Sequence, residues 1–460
     1  MRRVLFVAAF FPPINAVGSI RPAKIAKYLP EHGWEPTVLT VDRFVSRPAT
    51  MPLEIPAERV VRARFIDPLG WGIRAARGDA GPSAAVAAGS SRDASTGAAA
   101  DGPTRGSAST GAIVRRRIYD MARRLLPVNA VRVPDRLMTW YPWAVRRGRQ
   151  VLAGGGFDAL LSTSPPPTAQ LVAAALARRS GLPWVADMRD PWTTDLTQRR
   201  REPWQSLEAA LERRTMGRAT TVVTVSAILA EAFARRFGRP CLSIPNGFDA
   251  ELAEAPSPSP LPNLTLTYTG SVYAGLQDPA PLLVALRTLR ASGRLDPSQL
   301  TLRVYGNDRG DLPALAAAHE VADFVVFHDA VPHPEAMARQ REGHALLHLG
   351  FPDPAMAGYY SLKIFEYLQA QRPILALGRA GGIVDRLLRE CGVGRVLETA
   401  DEVAAQLMAW QCELAATGTL AYHGDRDAIL RYHFRQLAGE FARVLEAAAA
   451  ERREPTALAT

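Results

Sequence analysis

The chain has 460 residues, enough for two or three domains with large buried cores. Hydrophobic residues make up 47% and charged residues 22%, which excludes collagen-like, coiled-coil and wholly disordered chains. The net charge of +10 is unevenly placed: residues 1–245 hold 36 Lys+Arg and 19 Asp+Glu (+17), residues 246–460 hold 19 and 26 (−7). A basic half joined to an acidic half predicts two units with different partners, the basic one facing something anionic. Only Lys24, Lys27 and Lys363 among the 55 basic residues are lysines. Three widely spaced cysteines (Cys241, Cys391, Cys412) make neither a disulfide framework nor a thiolate metal site, which predicts a reducing compartment. No run of about 18 apolar residues is present to span a bilayer as a helix.

Arg2-Arg3 and the apolar run after them have the look of a short signal peptide, but Pro12-Pro13 ends the run early, and a buried first strand over 4–9 explains it better. Gly18-Ser19 opens a helix to about residue 30 with Pro22 in its first turn, and 37–41 is a second buried strand. Strand, glycine-containing loop, helix and strand form a Rossmann-like opening. Residues 78–112 contain only Gly, Ala, Ser, Thr, Pro, Asp, Arg and Val86, and predict a disordered insertion. The alternation resumes with a strand at 159–162, a helix at 168–179, a strand at 184–187, a helix at 205–216 and a strand at 221–225. Ser226 is placed to cap the next helix, 242–245 ends this half, and Asn246-Gly247 is a turn signal.

Four prolines in 256–262 read as a linker. A second series follows, with strands at 264–269, 302–305, 324–327, 345–349 and 374–377. A helix at 279–291 has Asp278 as cap, and a last helix at 427–449 carries Leu430, Phe434, Leu437, Phe441 and Val444 on one face. The pattern predicts an α/β protein of two doubly wound domains facing a cleft. Residues 1–245 form the first, 246–426 the second, the 427–449 helix crosses back, and 450–460 is a tail. Ligands belong at the carboxyl ends of the parallel strands.

Four places carry candidate chemistry. Gly18 permits a tight bend, and the Ser19 and Ile20 amides at a helix N-terminus suit an anion, although the three-glycine dinucleotide fingerprint is missing. In 361–368, SLKIFEYL, Ser361 is placed to cap a helix with Lys363 in its first turn, where a lysine opposes the helix dipole unless an anion sits between them. Glu366 lies on the same face, either pairing with Lys363 or accepting from ribose hydroxyls. Asp187, Arg189, Asp190 and Trp192 follow an apolar strand; they either orient and deprotonate an acceptor or form an Arg–Asp pair that fixes a loop. Residues 113–150 hold ten arginines and two acids, with an apolar stripe at Val114, Ile118, Met121 and Leu125. With Trp140, Tyr141 and Trp143 this reads as a membrane-surface element or as a core-packed helix with an arginine-rich outer face. No nucleic-acid motif is present. His344 and His348 flank 345–347 without a third ligand, and read as core or cleft histidines rather than a metal site.

The segments FVAAFFPPINAVGSIRPAKIAKYLPEHGWEPTVLT, IPNGFD, TYTGSVYAGL and SLKIFEYLQAQRPILAL, in this order along the chain, resemble retaining sugar-nucleotide-dependent glycosyltransferases of family 4, which have the GT-B architecture. The resemblance implies transfer of a sugar from a nucleotide-diphosphate sugar to an acceptor hydroxyl with retention, without a cofactor or metal. By position, Lys363 would contact the donor diphosphate and Glu366 the ribose. Gly270 and Ser271 would offer amides to the phosphates, and Gly18 would approach them from the other domain. The catalytic candidates are Lys363, Asp190 and Asp187, with Arg189 and Trp192 on the acceptor side. Family members carry a glutamate eight positions before the one matching Glu366, where this chain has Gly358; Asp353 is the nearby carboxylate. An arginine and a lysine that follow the family's matching glycine are also replaced, the text here being Ser271 to Gly275.

The resulting expectation is a cytoplasmic enzyme, peripheral on the inner face of the membrane. It would act on a lipid-linked or glycan acceptor in cell-surface polysaccharide synthesis. The alternatives are a nucleotide-sugar epimerase of the same architecture and a non-catalytic nucleotide-sugar-binding subunit of an assembly complex.

Overall fold

The computed structural model describes residues 1–44, 49–66, 133–194, 202–253, 259 and 261–451. Its first sheet contains β1 (Arg2–Ala8), β2 (Trp34–Val41), β3 (Val60–Ala63), β4 (Ala159–Ser164), β5 (Trp184–Met188), β6 (Thr221–Thr224) and β7 (Cys241–Ser243), in the order β3-β2-β1-β4-β5-β6-β7. The second contains β8 (Leu264–Thr269), β9 (Leu300–Tyr305), β10 (Val325–His328), β11 (Ala345–Leu349), β12 (Ile374–Leu377) and β13 (Gly394–Leu397), in the order β10-β9-β8-β11-β12-β13. All named pairings are parallel. In both sheets the winding reverses beside the first strand, between β1 and β4 and between β8 and β11. A doubly wound sheet binds its ligands outside the strands' carboxyl ends at such a switch point.

Each sheet is covered on both faces, so its central strands are buried throughout: β1 is apolar from Val4 on, while β4 (ALLSTS) and β8 (LTLTYT) bury Ser and Thr among their apolar residues. Leu5 and Val7 of β1 enter one core, while Val4, Phe6 and Ala8 enter the core on the opposite face. That second core is closed by the helix Phe434–Glu451, which lays Phe434, Leu437, Phe441 and Leu445 against the first sheet. The chain's last described helix therefore belongs to the first sheet's core.

Several elements differ from the sequence reading. The helix expected over 427–449 is two helices, Arg426–Leu430 and Phe434–Glu451. The break lies where the chain crosses between the sheets. There the Phe248 amide donates to Tyr432 O at 3.1 Å, and the Phe434 amide donates to Phe248 O at 2.9 Å. Gly247 is required at this crossing, because a Cβ on it would stand 2.2 Å from Tyr432 O. Strands β3 and β13 escaped the sequence reading because each is a four-residue edge with an exposed arginine, Arg62 or Arg395. Ser361 does not cap: the helix Lys363–Ala370 has Leu362 at its N-cap and no side-chain cap bond. Ser226 does cap, accepting from the Leu229 amide at 3.3 Å. The insertion expected at 78–112, most of the 256–262 linker, the 113–132 arginine-rich stretch and the tail from 452 lie outside the described residues.

Pro22 stands in the second turn of the helix Val17–Tyr28, not the first. A proline there cannot donate to the carbonyl four residues back, that of Gly18. Gly18 O accepts from Arg189 Nη1 instead, at 3.2 Å. A helix defect thus ties the glycine turn after β1 to the end of β5.

Lys24 and Lys27 of that helix reach Glu54 and Asp249 in a shared ion network, and Tyr28 Oη donates to Asp249. Burial alone would raise the Asp249 carboxyl, but the bonds from Lys24, Tyr28 and Lys27 overcome it and hold it at about 2. The network pins the crossing segment to the first sheet's opening helix.

Candidate functional site

The carboxyl ends of β1, β4 and β5 form one wall. Arg189, directly after β5, donates from Nε to Ser164 O (3.1 Å), from Nη2 to Pro165 O (2.9 Å) and from Nη1 to Gly18 O. It is 8% exposed, and burial lowers its pKa. The guanidinium clamps the glycine turn onto the Ser164-Pro165 loop, so it builds this wall rather than reaching out from it. Asp190 beside it is exposed and adds its charge to Arg189's surroundings.

Two expectations fail on this wall. Asp187 is 1% exposed and holds Arg21 through both oxygens (3.0 and 3.1 Å), and Thr163 Oγ1 donates to it at 2.7 Å. Arg21 also donates to Ile244 O and Pro245 O, so Asp187 is the anchor of a buried guanidinium and not a base facing the cleft. Trp192 is a core residue with its indole N–H on Glu208 at 2.9 Å, not an acceptor-side surface. Trp140 of the proposed membrane aromatics is likewise fully buried, while Trp143 is partly exposed.

The opposite wall is built where β8 and β11 end. Gly270 follows β8 with φ +97°, a conformation that favours glycine, and a Cβ on it would stand 2.9 Å from Lys363 Cε. The missing side chain leaves the slot that Lys363 fills. Lys363 Nζ donates to Tyr268 Oη (2.5 Å) and Ser271 O (2.8 Å), with the Tyr268 ring centroid 4.1 Å away. Among the described residues no carboxylate lies within ion-pair distance of it. Burial lowers Lys363 to about 8, and the more distant Glu366 only partly opposes this. The Gly270 amide is committed to Tyr305 O at 2.7 Å, so it does not serve as a phosphate donor; the glycine contributes room. Ser271 serves through its carbonyl, which orients both Lys363 and Tyr268.

Glu366 does not pair with Lys363. It meets His333 Nε2 at 3.1 Å, and that bond raises the histidine's pKa. Gly358 touches the first sheet's side: Ser226 Oγ donates to its carbonyl at 2.7 Å, and a Cβ on it would lie 3.1 Å from Leu229 Cγ. The position that holds a glutamate in the resembled family is thus a contact between the two halves. Asp353 accepts from the Ala355 amide at 2.8 Å and shapes the loop leading there. His344 and His348 are both buried.

Chemically, the cleft offers one partly buried lysine at a helix N-terminus, a second helix N-terminus opposite at Gly18, and a carboxylate one helical turn past the lysine. No described helix is long and apolar enough to cross a membrane.

Residues 108–252 match the model of Glycosyltransferase Family 4. No curated protein matches the chain by sequence. Among solved structures, the sucrose-phosphate synthase of Thermosynechococcus elongatus is similar over 98% of this chain and 97% of its own, at 14% identity and TM-score 0.50. Anabaena HepE, solved in complex with UDP and glucose, is similar over 97% of this chain and 100% of its own, at 15% identity and TM-score 0.55. With its two Rossmann-like parallel sheets, the chain has the GT-B fold of glycosyltransferases, and its residues 108–252 carry the family 4 pattern.

Proposed function

We propose that the chain is a retaining glycosyltransferase that moves a sugar from a nucleotide-diphosphate sugar to an acceptor hydroxyl. One observation carries the reading: Lys363 is a partly buried ammonium with no counter-ion among the described residues, at a helix N-terminus at the sheet's switch point. Burying an unpaired charge is costly, and a diphosphate repays that cost. Lys363 would then offset the charge gathering on the leaving diphosphate as the bond to the sugar breaks. Glu366 would leave His333 to accept from the ribose hydroxyls. Gly18 would face the phosphates from the other wall, with Arg189 holding it there and Asp190 as the exposed carboxylate nearest the acceptor. In this reading the protein supplies the positive charge itself, and no metal or cofactor takes part.

The acceptor is read as lipid-linked or glycan, in cell-surface polysaccharide synthesis on the cytoplasmic face of a membrane. The basic charge of the first half supports an anionic surface there. HepE's UDP and glucose show what a similar fold holds.

The test incubates the protein with a panel of nucleotide sugars and cell-envelope acceptors, with and without EDTA. Mass spectrometry follows product and free nucleotide, and NMR reads the anomeric configuration. Transfer with retention and EDTA resistance is expected. Sugar isomerisation without nucleotide release would establish the epimerase, and binding without turnover the non-catalytic subunit.

A further inference from the structure

His348 is the last-but-one residue of β11, at the second sheet's switch point. It is 2% exposed, and among the described residues neither Nδ1 nor Nε2 has a hydrogen-bond partner. A buried imidazole with both nitrogens unpartnered is costly, and natural proteins rarely keep one without a use. The ring lines a cavity of about 30 Å³ together with Gly350, Phe351, Met356, Tyr359 and Ser361. That space takes a water or a hydroxyl-bearing arm. Three features set the cavity beside the proposed donor site. Ser361 is two residues from Lys363. Lys363 acts electrostatically on His348. The lining loop is the one that reaches Gly358 and the first sheet.

We propose that His348 is a specificity-determining residue that hydrogen-bonds one hydroxyl of the donor sugar within this cavity. The inference rests on the cleft taking a nucleotide-diphosphate sugar. Burial and the Lys363 charge hold the imidazole near 3, so it stays neutral at physiological pH. A neutral imidazole has one donor and one acceptor nitrogen, so the nitrogen that faces the cavity can either give a hydrogen bond to a sugar hydroxyl or take one from it. The sequence marks no such role, because a histidine within an apolar strand reads as core.

The experiment compares wild type, His348→Leu and His348→Gln by calorimetry and kinetics. The probes are UDP, GDP and dTDP, their hexose conjugates, and the corresponding deoxyhexose conjugates. For the nucleotide that wild type binds, His348→Leu should leave diphosphate affinity within about twofold. It should weaken the hexose conjugate about tenfold, as for loss of a hydrogen bond worth about 1.4 kcal/mol, and so erase preference over the deoxy sugar. His348→Gln, which keeps a donor and an acceptor, should retain part of that preference and covers the case in which the leucine variant misfolds. An unchanged hexose-to-deoxyhexose ratio in a folded variant overturns the proposal and leaves a core histidine. If wild type binds none of the three diphosphates, the glycosyltransferase reading itself falls, a result distinct from an unchanged ratio.

Discussion

Raising the pH from 7 to 9 should loosen diphosphate binding through Lys363. Burial holds this ammonium at about 8, below its ordinary 10.5. In the free protein the charged fraction therefore drops from about 0.9 at pH 7 to about 0.1 at pH 9. If only the charged form binds, affinity falls about tenfold over that range, or about 1.4 kcal/mol. The phosphate's own last proton, with a pKa of about 6, is already gone across the window. Folding stability moves the other way. Between about 8 and 10.5 the unfolded chain holds a proton that the folded chain has shed, so this group's contribution to stability rises with pH. Lys363→Met keeps the apolar stem and removes the buried charge. It should weaken diphosphate binding at pH 7 by about tenfold or more, for a lost charge-assisted contact of about 1.5–3 kcal/mol, and flatten the pH dependence. It should not lower the melting temperature. Calorimetric titration of both proteins at pH 7, 8 and 9 reads all of this. A pH-independent wild type, or a variant that keeps the wild-type slope, refutes the assignment of Lys363 to the phosphates.

Asp187→Asn should act on stability, because it strands the Arg21 guanidinium, which is 2% exposed; breaking such a buried pair costs about 3–5 kcal/mol. Chemical denaturation measures the loss, and wild-type stability combined with lost transfer would return Asp187 to the catalytic group. Gly358→Glu should not restore a family-like site. The new side chain meets Leu229, breaks the Ser226–Gly358 bond and overpacks the contact by about 1–3 kcal/mol. Small-angle scattering should show a wider molecule, and a faster enzyme of unchanged size would contradict this.

Local pattern was enough for much of the fold. A strand buried on both faces carries no charged residue and is mostly apolar, so 264–269, 345–349 and 374–377 were legible to the residue. The place of Lys363 in a helix's first turn was legible too, and its proposed role toward an anion rests on the opposed helix dipole. Short edge strands were not, since β3 and β13 are four residues long, each with an exposed arginine, and are too brief to show a period. Nor was the difference between Asp187 and Asp190, three residues apart at the end of one strand. Arg21, 166 residues from Asp187, decides it by filling both of that carboxylate's oxygens. The same holds for Gly358, whose role is set by Ser226 and Leu229 across the cleft, and for His348, whose two nitrogens can be seen to lack partners only once every neighbour is in place. Periodicity and charge act along the chain and are written in it. Which polar group is satisfied, and which is left for a ligand, depends on residues that only the packed sheets bring together.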